Sequence, residues 1–156
     1  MNFIEIAQQY KKMFNEMSFE RKDAINKLES LTYSFSQHVC KLFLWDNSQW
    51  RKDWKDEIYN YISQIKDITL KGGKSLKDSD YLKHFFNPYL ETEEEMSKML
   101  NSVSNTFMKK DNYPKPNNVD SSVAFTNYRF FVNSVLKVNA LDYDEFIKLC
   151  NELIGE

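Results

Sequence analysis

Hydrophobic residues recur along the chain at spacings of three and four, which is the repeat of an amphipathic α-helix. The third apolar stretch shows this pattern, since Trp54, Ile58, Tyr61 and Ile65 fall on one side of a helix. The same spacing predicts helices at residues 2–17, 19–45, 49–69, 80–86, 92–110, 121–138 and 142–154. We therefore predict an all-α fold, an irregular helical bundle of five to seven helices that forms a single domain over residues 1–156.

Few residues of the chain favour a break in a helix, because it has only three glycines and three prolines. Two predicted helix starts have the spacing of a capping box, in which an N-cap side chain bonds the backbone three residues on. These are Thr92 with Glu95 and Asp142 with Glu145. Two prolines and three asparagines fall within residues 111–120. This segment is therefore predicted to be a loop, long enough to cross the end of a bundle.

Two segments, residues 39–45 and 121–138, are apolar on nearly every side of a helix. A helix of this kind is usually buried at the centre of a fold, and we expect central burial for both. Two alternatives stay open. Residues 121–138 also fit a strand, and surplus apolar surface on either segment would serve a partner or a dimer interface.

Composition narrows the classes of function. The formal charge of −2 at pH 7 gives no strong field for steering the chain toward nucleic acid or anionic lipid. No uncharged apolar run reaches the ~18 residues of a membrane span, and the first residues, which include Glu5, do not resemble a signal peptide. Cys40 and Cys150 fall at apolar helical positions, which is typical of reduced, packed thiols. We expect a cytoplasmic protein that does not enter a membrane.

Two motifs match the ends of ligand-binding loops but lack residues that the ligand needs. Residues 72–75, Gly-Gly-Lys-Ser, match the close of a phosphate-binding loop, yet Ile68 stands where that loop has its first glycine. Residues 142–146 match the close of an EF-hand calcium loop, but Leu136 and Val138 then occupy ligand positions. We therefore expect no cofactor and no bound metal.

A basic and aromatic segment, residues 41–55, is the candidate for an interaction surface. Tryptophans interleave with lysines and an arginine there, which is the chemistry of a surface that stacks bases and contacts phosphates. The tryptophans also begin the stripe that continues to Ile58, so we favour core tryptophans under a solvated face of mixed charge. The candidate surface residues are Phe43, Trp45, Trp50, Arg51, Trp54 and Lys55.

These observations favour a non-enzymatic helical module that binds a protein partner or forms a homodimer. One form of it is a stoichiometric inhibitor of another protein, such as an immunity protein or a blocker of host defence. The first alternative is nucleic-acid binding through Arg51, Lys52 and Lys55, with an affinity that falls steeply with salt. The second is an enzyme in which Asp80 and His84 act as an acid–base pair, although no complete catalytic pattern supports it.

Overall fold

The computed structural model describes residues 19–71, 89–136 and 141–156. Within these ranges the chain folds into five α-helices without a strand, which confirms the predicted all-α fold. We number the helices α1 (Phe19–Leu44), α2 (Ser48–Lys71), α3 (Glu93–Lys110), α4 (Ser121–Leu136) and α5 (Tyr143–Leu153). The helices predicted at 2–17 and 80–86, the latter with Asp80 and His84, lie outside the described residues, as do residues 72–75.

The five helices form a closed ring of neighbours. Helix α1 packs against α2 and α3, α5 packs against α2 and α4, and α3 packs against α4. Phe35 joins α1 to α4 across this ring, because its side chain lies 6.3 Å, centroid to centroid, from both Tyr128 and Phe131. All three side chains are buried. Each buries a large apolar area, so this contact stabilises the centre of the fold.

The buried side chains follow the predicted helical stripes. Ile62 of α2 is also buried, although it was not predicted. It lies one turn from both Ile58 and Ile65. The predicted stripe residues that are buried are Ile25, Leu28, Phe35, Val39 and Leu42 in α1, Trp54, Ile58 and Ile65 in α2, Met96, Leu100 and Val103 in α3, and Phe146, Cys150 and Leu153 in α5. None of the helices α1 to α5 combines the length and the apolar character needed to cross a membrane.

The N-cap bond predicted at Thr92 forms, but the Glu95 carboxylate reaches back to the Thr92 hydroxyl instead of the backbone. The Thr92 hydroxyl accepts a hydrogen bond from the Glu95 backbone N–H at 3.1 Å and donates to the Glu95 carboxylate at 3.2 Å. The second prediction is wrong in its side-chain bond, because Asp142 occupies the N-cap of α5 without a side-chain hydrogen bond to the helix. A cap that the sequence analysis missed begins α4, where the Asp120 carboxylate accepts the Ser122 N–H at 2.9 Å.

Both cysteines are packed as predicted. Cys40 of α1 and Cys150 of α5 are free, buried thiols. Burial raises the pKa of each thiol, that of Cys150 to about 12. Because the thiolate is the reactive form of cysteine, neither residue is an activated nucleophile near neutral pH.

Candidate functional site

Residues 39–45, which we call the closed segment, end α1 at the centre of the fold. Phe43 alone among them is half-buried, and even Lys41 is buried. The central burial expected for this segment is therefore confirmed. The remaining buried residues of the segment are Val39, Cys40, Leu42, Leu44 and Trp45.

Five aromatic side chains pack together at the end of the closed segment, and we call this cluster the aromatic corner. The Tyr113 ring stacks on that of Trp50 with centroids 4.6 Å apart, and it meets the edge of Trp45 at 5.0 Å. The same ring lies 6.2 Å from Trp54 and 5.7 Å from Phe107. Tyr113 therefore ties the α1–α2 turn to the end of α3.

The ammonium of Lys41 lies inside the aromatic corner. Its Nζ is 3.8 Å from the centre of the Phe107 ring and 5.7 Å from that of Trp54, distances at which the faces of aromatic rings attract a cation. Burial lowers the pKa of Lys41, and the negative charges of Glu57 and Asp111 oppose that decrease. This lysine is therefore covered by rings and does not present its charge at the surface.

Arg51 satisfies the backbone at the C-terminus of α1. Its Nε donates to the Trp45 carbonyl oxygen at 2.8 Å, and its Nη2 donates to the Leu42 carbonyl oxygen at 3.0 Å. The guanidinium also forms ion pairs with Asp46 and Glu156. Because the last carbonyls of a helix lack partners within it, Arg51 supplies donors to buried oxygens that would otherwise have none.

The loop of residues 111–120 is fixed across the same helix end. The Asn117 N–H donates to the Leu44 carbonyl oxygen at 2.8 Å, and the Trp45 indole N–H donates to the Pro114 carbonyl oxygen at 2.9 Å. The loop follows α3 through a reversal at Asn112, whose φ of 59° is left-handed. The predicted loop therefore forms, and it covers α1 rather than projecting into solvent.

The structure divides the predicted interaction residues between the core and the edge of the aromatic corner. Trp45, Arg51 and Trp54 are buried, while Phe43, Trp50 and Lys55 are half-buried. The Lys55 ammonium donates to the Asn151 side-chain oxygen at 3.0 Å. Lys52 is the one fully exposed cation of residues 41–55. These residues do not form an open surface for stacking bases, because both Trp45 and Trp54 are buried.

Helix α4 differs from the closed segment, because only one side of it is covered. The expectation of central burial for residues 121–138 is therefore corrected for α4, because its buried residues lie on one side and six other residues are exposed. The covered residues are Ala124, Tyr128, Phe131, Val132 and Val135.

The opposite side of α4 is open, and we call its six exposed residues the α4 face. Val123 and Phe130 are the two large apolar residues of this face, with 56% and 60% of their surfaces exposed. They lie seven residues apart, which places them on the same side of the helix about 10 Å from each other. The six residues are Ser122, Val123, Thr126, Arg129, Phe130 and Asn133.

The other exposed large apolar residues of the described chain each have a partner. The Tyr33 ring meets the edge of Tyr89 at 5.2 Å, and the Tyr143 hydroxyl donates to the Asp56 carboxylate. The Met108 sulfur accepts the Ser104 hydroxyl at 3.6 Å. Val123 and Phe130 lie outside the cluster of buried core residues. The α4 face is therefore the part of the described surface where apolar area is exposed without a local structural role.

The α4 face is also poor in charge, since Arg129 is its one charged residue. The exposed side of α2 contrasts with it over residues 48–68, because Lys52, Asp53, Glu57 and Asp67 are charged and no large apolar residue of that range is exposed. Depletion of charge together with aromatic residues and arginine is typical of the centre of a protein interface.

Among the described residues, His38 and Glu57 form the pair that most resembles a catalytic acid–base pair. Its Nδ1 lies 2.7 Å from the Ser34 carbonyl oxygen, and its Nε2 pairs with the Glu57 carboxylate. Burial lowers the pKa of His38 and Lys41 adds to the decrease, whereas the bonds to Ser34 and Glu57 oppose it. Among the described residues, no group of three His, Cys, Asp or Glu side chains is placed to hold a metal ion. The pair joins α1 to α2, and the Tyr61 ring lies beside it with its centroid 5.3 Å from that of His38.

Comparisons with protein-family models, with curated proteins and with solved structures give no match to the chain. The α4 face and the residues that surround it therefore provide the evidence for function.

Proposed function

We propose that the chain is a non-enzymatic helical module that binds another protein through the α4 face. The observation that carries this proposal is the exposure of Phe130, at 60% of its surface, next to Phe131, at 1%. Burying an apolar side chain that is left in water lowers the free energy by roughly 1.5–3 kcal/mol. An aromatic residue that is exposed to this extent is thus a source of binding energy.

The composition of the α4 face supports a protein rather than a nucleic acid as the partner. A surface that binds phosphates needs several cations, and this face has only Arg129. The basic segment of residues 41–55 does not supply the rest, because Lys41 and Arg51 are buried. Nucleic-acid binding therefore has no described surface in its favour.

The test compares the wild-type chain with the double variant Val123→Asp/Phe130→Asp in affinity capture from an extract of the native host. We expect a protein that wild type retains and the variant loses, in a complex whose mass in solution fits a fixed stoichiometry. The matched control is Asn101→Asp/Asn105→Asp, which adds the same charge to the exposed side of α3 and should leave capture unchanged.

Binding to purified partner follows the capture experiment, because co-purification alone does not show direct contact. Each variant is first checked for native helix content and stability, since exposed substitutions usually change the free energy of unfolding by no more than about 0.5 kcal/mol. Capture of the same proteins by wild type and by the α4 double variant would contradict the proposal.

A further inference from the structure

The arginine of the α4 face has no ionic partner among residues 19–71, 89–136 and 141–156. The Arg129 guanidinium carbon lies 5.7 Å from the centre of the half-buried Phe125 ring, which holds the side chain against the helix. The ion pairs of the described residues do not include Arg129. Arg51, by contrast, donates to two carbonyl oxygens and pairs with Asp46 and Glu156. Among the described residues, no carboxylate pairs with Arg129, and its guanidinium can bind one from a partner.

We infer that the partner of the α4 face is an amphipathic helix of another protein that carries an aspartate or glutamate beside its apolar stripe. This inference depends on the proposed function, because it names the chemistry of the partner. Val123 and Phe130 provide two apolar anchors about 10 Å apart, which matches the i to i+7 spacing on a partner helix. Arg129 provides the complementary charge at the other side of the same face.

Charge distinguishes this partner from a second copy of the chain. The α4 face has one cation and no carboxylate, so two copies that meet through it bring together two arginines without an acidic residue from either face. Like charges across an interface oppose association, and a carboxylate from a different protein removes that opposition. An arginine and a carboxylate also form two parallel hydrogen bonds, which fixes the orientation of the partner.

The experiment selects helical peptides of about 16 residues from a displayed library against the full chain. We expect recovered peptides to share apolar residues at helical spacing and an acidic residue at one fixed position beside them. For such a peptide, Arg129→Glu should weaken binding about tenfold or more. Replacing the acidic residue of the peptide with lysine should restore binding to Arg129→Glu but not to wild type.

Control variants separate this inference from the proposed function. Arg129→Gln removes the charge without reversing it and should weaken binding less than Arg129→Glu. Peptides that need Phe130, as shown by loss on Phe130→Ala, but have no acidic preference would overturn the inference and leave the proposed function standing. Recovery of no peptide that depends on Val123 or Phe130 would overturn both.

The oligomeric state of the chain in solution also tests the inference. Sedimentation of wild type should show a monomer over the concentrations used for peptide binding. A dimer that Val123→Asp/Phe130→Asp dissociates would assign the α4 face to a second copy and overturn the inference.

Discussion

The closed segment and α4 have similar sequence patterns, since both are apolar on nearly every side of a helix. They differ in how much of that apolar surface is buried. The closed segment is covered by α2, by α3 and by the loop of residues 111–120, so that even Lys41 is buried. Helix α4 is covered on one side and exposes Phe130 on the other. Apolar character therefore shows where surface must be covered, but the arrangement of the neighbouring elements decides whether the chain covers that surface itself.

The sharpest test of this comparison uses two adjacent phenylalanines of α4. Phe131 is 1% exposed and Phe130 is 60% exposed. Phe131→Ala should lower the free energy of unfolding by about 3–5 kcal/mol, because it leaves a cavity beside Phe35. Phe130→Ala should change it by no more than about 0.5 kcal/mol. Chemical denaturation followed by circular dichroism measures both, and similar losses from the two variants would contradict the difference between the two sides of α4.

A second test compares the two arginines. Arg51→Met removes the donors to the carbonyl oxygens of Leu42 and Trp45 while keeping an apolar stem of similar length. Because each buried oxygen left without a donor costs about 1–3 kcal/mol, we expect a loss of roughly 3 kcal/mol. Arg129→Met should leave the free energy of unfolding within about 0.5 kcal/mol of wild type.

The same pair of variants has opposite consequences for binding. Arg51→Met should retain peptide binding under conditions in which it stays folded, whereas Arg129→Met should lose the preference for an acidic peptide. An Arg51→Met protein as stable as wild type would show that the closed segment does not need its carbonyl oxygens satisfied by this side chain.

The smallest expected effect is on the pH dependence of the free energy of unfolding. It comes from His38, which precedes Val39 at the start of the closed segment. Because burial holds the pKa of His38 below its ordinary value of 6.5, the unfolded chain takes up a proton more readily as the pH falls. The contribution of His38 to stability is therefore fully present above pH 6.5 and is lost as the pH falls through the pKa of the folded state.

We expect the free energy of unfolding to fall less steeply from about pH 7 to about pH 5 in His38→Gln than in wild type. The variant His84→Gln separates the contribution of the second histidine. A steeper fall in His38→Gln than in wild type would show that the bonds to Ser34 and Glu57 outweigh burial.

Interactions between residues close together in the sequence could be predicted, whereas interactions between distant residues could not. Helices α1 to α5 and the Thr92 cap were predictable because they depend on residues three or four positions apart. The role of Arg51 was not, because its partners include Glu156, which is 105 positions away along the chain. The spacing of Val123 and Phe130 was visible in the sequence, but no local pattern indicates which stripe of α4 its neighbours cover.

The positions of the tryptophans determine which changes intrinsic fluorescence can detect. All three, Trp45, Trp50 and Trp54, lie in the aromatic corner, and the α4 face has none. Intrinsic fluorescence therefore follows the integrity of the α1–α2 turn and its covering loop. Tryptophan emission therefore reports unfolding without an added probe. Binding at the α4 face has to be measured with a label on the ligand.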